Sequence, residues 1–97
     1  MNLVSVFAAS GVSHEKGYIL GVTDQEIKNE DIGFKSGNDD LDGNDVVITS
    51  DDSNVVVSDS GITASKKGLY ILNVSYGIAK TEVYLIIKDK TDKEYVL

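Results

Sequence analysis

Residues 65–88 read SKKGLYILNVSYGIAKTEVYLIIK, and the rest of the chain is organised around them. Tyr70, Leu72, Val74 and Tyr76 alternate with Leu69, Ile71, Asn73 and Ser75. Further on, Val83, Leu85 and Ile87 alternate with Glu82, Tyr84, Ile86 and Lys88. Successive side chains of a strand point to opposite faces, so each segment reads as a strand with one strongly apolar face. The aromatic and β-branched content favours strand over helix. Gly77 falls in the link, a loop of about three to five residues. A lone hairpin is marginal in water, so other segments must supply a second layer.

Working outward, residues 36–61 are dense in Gly, Asn, Asp and Ser, the residues of turns. Within them stand two strand-length apolar runs, Val46-Val47-Ile48 and Val55-Val56-Val57, separated by a turn at residues 51–54. Strands at about this 8–12-residue spacing indicate a sandwich or barrel. Ile62-Thr63-Ala64 then leads into the closing hairpin, and Ile32 to Phe34 offers another short strand. Residues 18–22 (YILGV) form a strand in which Gly21 marks a bulge or a close backbone approach. Residues 3–8 (LVSVFA) are apolar on both faces, which reads either as a doubly buried strand or as an arm that packs on a partner. Thr23-Asp24-Gln25-Glu26 has the spacing of a capping box, with Val22 and Ile27 placed for a hydrophobic staple. It predicts a short helix near 24–30, with a polar loop as the alternative.

Ninety-seven residues make one domain, 1–97, large enough for a core without covalent staples. With no cysteine there is neither disulfide nor thiolate metal site, and the single histidine, His14, argues against structural zinc. His14 sits in a polar stretch and reads as a loop residue, without the second group that catalysis or metal binding needs. The formal net charge is -7, and eleven of the sixteen carboxylates fall between Asp24 and Asp59. All nine basic residues are lysine, and such a field repels a phosphate backbone, so nucleic acid is not an expected partner. No apolar run approaches the ~20 residues of a membrane span. The N-terminal apolar patch lacks a preceding basic residue and is interrupted by Asn2 and Ser5, unlike a signal peptide. The expectation is a product that stays inside the cell or leaves it by a route other than secretion.

The block VSDSGITASKKGLYILNVSYGIAKTEVYLIIK resembles bacterial immunoglobulin-like domains. The matching residues are Gly68, Tyr70, Leu72, Val74 and Tyr76, then Val83, Leu85 and Ile87, and the upstream Asp40-Leu41-Asp42-Gly43-Asn44 is similar to their D-x-D-G-N turn. The resemblance covers about the last sixty residues, whereas the first thirty-five, with the capping box, depart from the usual layout. It implies an all-β fold, an immunoglobulin-like antiparallel β-sandwich of about seven short strands. It also implies a tyrosine corner at Tyr70, whose hydroxyl would bond backbone a few residues upstream, with Leu72 filling the place of the missing inter-sheet disulfide.

Asn38, Asp40, Asp42 and Gly43 fall at positions 1, 3, 5 and 6 of an EF-hand-like loop, which makes calcium the one cofactor to consider. Against it, position 12 is Thr49 and no helices flank the loop; the alternative is a solvated turn. No other cofactor is expected. No nucleophile–base constellation or phosphate-cradling loop is present, so no enzymatic activity is expected. A structural or binding role remains. Similar folds occur in bacteriophage virion proteins, which are made in the host cytoplasm and reach the outside by assembly and lysis. The resemblance therefore implies a head-decoration or head-fibre type protein docking on a capsid, localised to the virion. In that reading residues 1–10 form a docking arm, with Leu3, Val4, Val6 and Phe7, joined by Tyr95, Val96 and Leu97, as partner-binding residues. The alternatives are an immunoglobulin-like module of a bacterial cell-surface adhesin and an acidic nucleic-acid-mimic inhibitor that uses residues 24–59.

Overall fold

The computed structural model describes residues 11–14 and 16–95. The expected strand at residues 3–8, the arm at 1–10 and Val96 and Leu97 lie outside the described residues. The chain is all-β. Its strands are β1 (Ser13–His14), β2 (Tyr18–Val22), β3 (Ile27–Lys28), β4 (Phe34–Ser36) and β5 (Asp39–Asp40). They continue with β6 (Val47–Thr49), β7 (Val55–Val57), β8 (Gly61–Ala64), β9 (Gly68–Tyr76) and β10 (Ala79–Lys88). Single 3-10 turns at Asn29–Asp31 and Gly43–Asp45 complete the described elements. The count exceeds the expected seven because three of the ten, β1, β3 and β5, are two-residue pairings too short to carry an alternation pattern.

A four-stranded sheet has the order β2-β10-β9-β6, a three-stranded one β3-β8-β7, and a small one β1-β4-β5. The expectation of purely antiparallel pairing needs correction, because β2 runs parallel to β10, from Tyr18 opposite Tyr84 to Val22 opposite Lys88. Parallel neighbours require a long crossover, and here more than half of the chain, residues 23–78, lies between the two strands. Alternation in the hairpin holds. Leu72, Val74, Val83 and Leu85 are fully buried, while Leu69, Ile71 and Tyr84 on the alternate positions are exposed. Buried residues of all three sheets, including Phe34, Val55 and Ile62, join them in one core cluster. Each such side chain contributes about 1.5–3 kcal/mol by leaving water.

The hairpin link is tighter than expected. Tyr76 pairs directly with Ala79, so the turn is Gly77 and Ile78 alone, and Thr81 belongs to the strand. At the other end of β9 the Tyr70 hydroxyl donates to the Lys66 carbonyl at 2.6 Å, the bond expected of a tyrosine corner. Gly68 has φ +152°, a conformation closed to other residues, and carries the chain round the Tyr70 ring. Tyr70→Phe is expected to cost about 1–2 kcal/mol by leaving the Lys66 carbonyl without its donor; an unmoved denaturation midpoint would contradict this. Burial, with the charge of Asp52 second, raises the Tyr70 hydroxyl above its ordinary value of 10.0. The folded chain then keeps a proton that the unfolded chain releases, so this contribution is intact below about pH 10 and is lost as pH climbs through the raised value. The gap between Tyr70→Phe and wild type should therefore narrow in alkali.

The short helix near 24–30 is absent. Thr23 and Asp24 form a turn, with Asp24 at φ +61°, and Ile27–Lys28 is strand β3. Tertiary partners take the groups a capping box would use. The Thr23 amide donates to the Lys88 carbonyl at 2.9 Å and the Asp24 amide to the Ala64 carbonyl at 2.8 Å. The Glu26 carboxylate accepts from the Ser60 hydroxyl at 2.7 Å. Ile27 pairs with Ile62 and lays its side chain over Gly21, where a Cβ would come within 2.8 Å of both Ile27 and Ile87. The close approach expected at Gly21 is thus present, and it holds β3 over β2.

Candidate protein-interaction surface

The same alternation that fills the core also sets what the four-stranded sheet turns outward. Opposite the buried Ile19, Tyr70, Leu72, Leu85 and Ile87, six outer positions are also apolar, Tyr18 and Leu20 on β2, Tyr84 and Ile86 on β10, and Leu69 and Ile71 on β9. Strand register arranges them in two rows. Tyr18, Tyr84 and Ile71 are neighbours across the strands, and Leu20, Ile86 and Leu69 form the next row. Leu69 is 54% exposed, Tyr84 51%, Ile71 50% and Leu20 45%, whereas Ile86 at the centre is only 4% exposed. Together they present on the order of 500 Å² of apolar surface, near the top of the range for the largest patch on an ordinary monomer, and such patches are often functional.

Charges bracket the patch along its central strand. The outward positions of β10 read Lys80, Glu82, Tyr84, Ile86, Lys88, so Glu82 and Lys88 are the charges that adjoin the patch at its two ends. The Lys88 ammonium lies 4.9 Å from the centroid of the Tyr95 ring, so this one described member of the expected C-terminal contact residues borders the patch. Lys67 bridges Asp89 and Asp92 at 3.9 and 3.6 Å beyond the same end. The sequence reading missed this surface. Its signal was legible in the second set of alternating residues, Leu69, Ile71, Tyr84 and Ile86, which are too apolar for a face turned to solvent alone.

The other expected sites have plainer roles. Asp40 pairs with Lys35 at 3.8 Å between two well-exposed side chains, and the Asp42 carboxylate accepts from the Asn44 amide at 2.9 Å, capping the 3-10 turn. Asn38 lies exposed in the turn between β4 and β5. Among the described residues no group of three or more His, Cys, Asp or Glu is placed to hold a metal ion. His14 is not the loop residue expected. It belongs to β1, its Nε2–H donates to the Ile32 carbonyl at 2.8 Å, and its ring stands edge-on to Phe34 at 5.8 Å. Its Nδ1 accepts from the Lys16 amide, so it ties the β1–β2 turn to β4. Among the described residues no helix is long and apolar enough to cross a membrane.

Comparison with known proteins adds no relative: no protein-family model and no curated protein matches the chain.

Proposed function

We propose that this chain is a non-enzymatic structural and binding module, built as an immunoglobulin-like sandwich, whose contact surface is the outward face of β2, β10 and β9. In support of the fold, the sheet order β10-β9-β6 corresponds to the seventh, sixth and third strands of that arrangement, and β3-β8-β7 to its second, fifth and fourth. Tyr70, early in the sixth of these strands, makes the backbone bond of a tyrosine corner. The functional reading is carried by one observation, the six-residue apolar face bracketed by Glu82 and Lys88. A face of this kind binds protein, since it offers neither an enclosed cavity nor converging polar groups for a small ligand. The narrower form of the proposal, drawn from the sequence resemblance, is a virion protein docking on a capsid.

The test is a paired substitution, Ile71→Thr with Tyr84→Thr. Threonine keeps strand propensity while removing apolar surface. If the face is an open contact surface, the pair costs only about 1 kcal/mol, the worth of the cross-strand contact it removes. A loss of about 3 kcal/mol or more in denaturant titration would mean that the chain seals this face itself, and the contact reading would fall.

A further inference from the structure

We infer that the outward face of β2, β10 and β9 pairs with the same face of a second copy of this chain, the two β10 strands lying antiparallel across the interface. The inference rests on the contact-surface reading above and names the partner. Charge is the first argument. From Glu82 on, the outer residues of β10 read Glu82, Tyr84, Ile86, Lys88 in one direction and Lys88, Ile86, Tyr84, Glu82 in the other, while Lys80, the outer residue before them, falls past the end of the other copy's β10 when the strands are antiparallel. Antiparallel apposition sets Glu82 of each copy against Lys88 of the other and Tyr84 against Ile86. The flanking strands follow the same operation, with Tyr18 against Leu20 and Leu69 against Ile71. Parallel apposition would instead set Glu82 on Glu82 and Lys88 on Lys88, so like charges reject it. A two-fold axis lying in the interface between the β10 strands generates the favourable arrangement, and such isologous pairing is the commonest route to an oligomer.

Area is the second argument. Two patches of about 500 Å² close roughly 1,000 Å² of apolar surface, and the polar rim brings the total to the lower end of stable interfaces, about 1,200 Å². Face-to-face sheets pack about 10 Å apart with interdigitating side chains, which suits a row carrying two rings, Tyr18, Tyr84 and Ile71, set against the aliphatic row of the other copy, Leu20, Ile86 and Leu69. The acid-rich stretch, residues 24–59, contributes no residue to β2, β9 or β10. The surface brought together therefore lies outside the acid-rich stretch of a chain of net charge -7.

The experiment is sedimentation velocity on the full chain at low salt, across micromolar to millimolar concentration, with circular dichroism to verify folding of each variant. Wild type should pass from one chain mass to two. Glu82→Lys and Lys88→Glu should each weaken association about tenfold, because each reversal turns two symmetry-related attractions into repulsions. The double reversal, Glu82→Lys with Lys88→Glu, should recover association to within about threefold of wild type, since it restores both pairs. A dimer indifferent to the single reversals, or one not rescued by the double, overturns the inference. A chain that stays monomeric throughout also overturns it. In that case an Ile71→Thr, Tyr84→Thr variant with only the small loss expected of an open face leaves the contact surface standing for a different partner, whereas a collapsed midpoint removes the contact surface as well.

Discussion

Leu85→Ala is expected to lower the unfolding free energy by about 3–5 kcal/mol. Leu85 is fully buried in β10, between Ile19 on β2 and Tyr70 on β9. Removing its three terminal carbons loses their transfer from water and leaves a void. The void is expected to persist, because β10 is an interior strand hydrogen-bonded on both edges and cannot slide inward to fill it. For a domain of this size the loss corresponds to a melting temperature lower by about 15–30 °C. Val47→Ala provides the contrast, since Val47 is 60% exposed on the edge strand β6 and its truncation should change stability by less than about 0.5 kcal/mol. Equal effects of the two substitutions would mean that the inward face of the hairpin is wrongly assigned.

Gly61→Ala is the second large effect, and its sign is decided by competition. Replacing a glycine that sits in an ordinary conformation stabilises by about 0.4–1 kcal/mol through the unfolded chain. At position 61, however, a Cβ would be driven into the Ile27 carbonyl and would stand 2.9 Å from Glu26 Cγ. The carbonyl belongs to backbone that cannot give way easily. Lys28 pairs with Gly61 itself, and the Asn29 amide donates to the Ser60 carbonyl at 3.0 Å. Overpacking against backbone costs about 3 kcal/mol and outweighs the entropic gain. The expected net loss is therefore about 2 kcal/mol or more, measured as a lower denaturant midpoint at unchanged slope. Gly11→Ala, where nothing lies within 4 Å of the added methyl, should be neutral. A Gly61→Ala variant as stable as wild type would show that β3 does not press on β8 as described.

Much of the architecture was legible in short patterns. Strand β2 at residues 18–22 and β7 at 55–57 fall where their apolar runs lie, and β9 and β10 follow from two-residue alternation alone. Alternation reports burial directly, because each side chain's environment depends on one bit, inward or outward. The Tyr70 bond to Lys66 was equally accessible, since both ends lie within five consecutive residues. Residues 23–31 were not. Thr23-Asp24-Gln25-Glu26 satisfies the local rule for a helix start, but the carbonyls of Lys88 and Ala64 and the hydroxyl of Ser60 bind the groups that rule would use. His14 gave no local signal of β1 because its partner strand, β4, lies twenty residues on.

The contact surface divides in the same way. That Leu69, Ile71, Tyr84 and Ile86 are apolar is written in the chain, and so is the charge order from Glu82 to Lys88. That they form one surface is not, because it depends on β2 lying parallel to β10 and bringing Tyr18 and Leu20 alongside. Local sequence determines which side chains a strand offers to each face, since that is a matter of backbone geometry over two residues. Only the tertiary structure decides which strands become neighbours and in what register, because those contacts join residues more than sixty positions apart, and no local pattern encodes them.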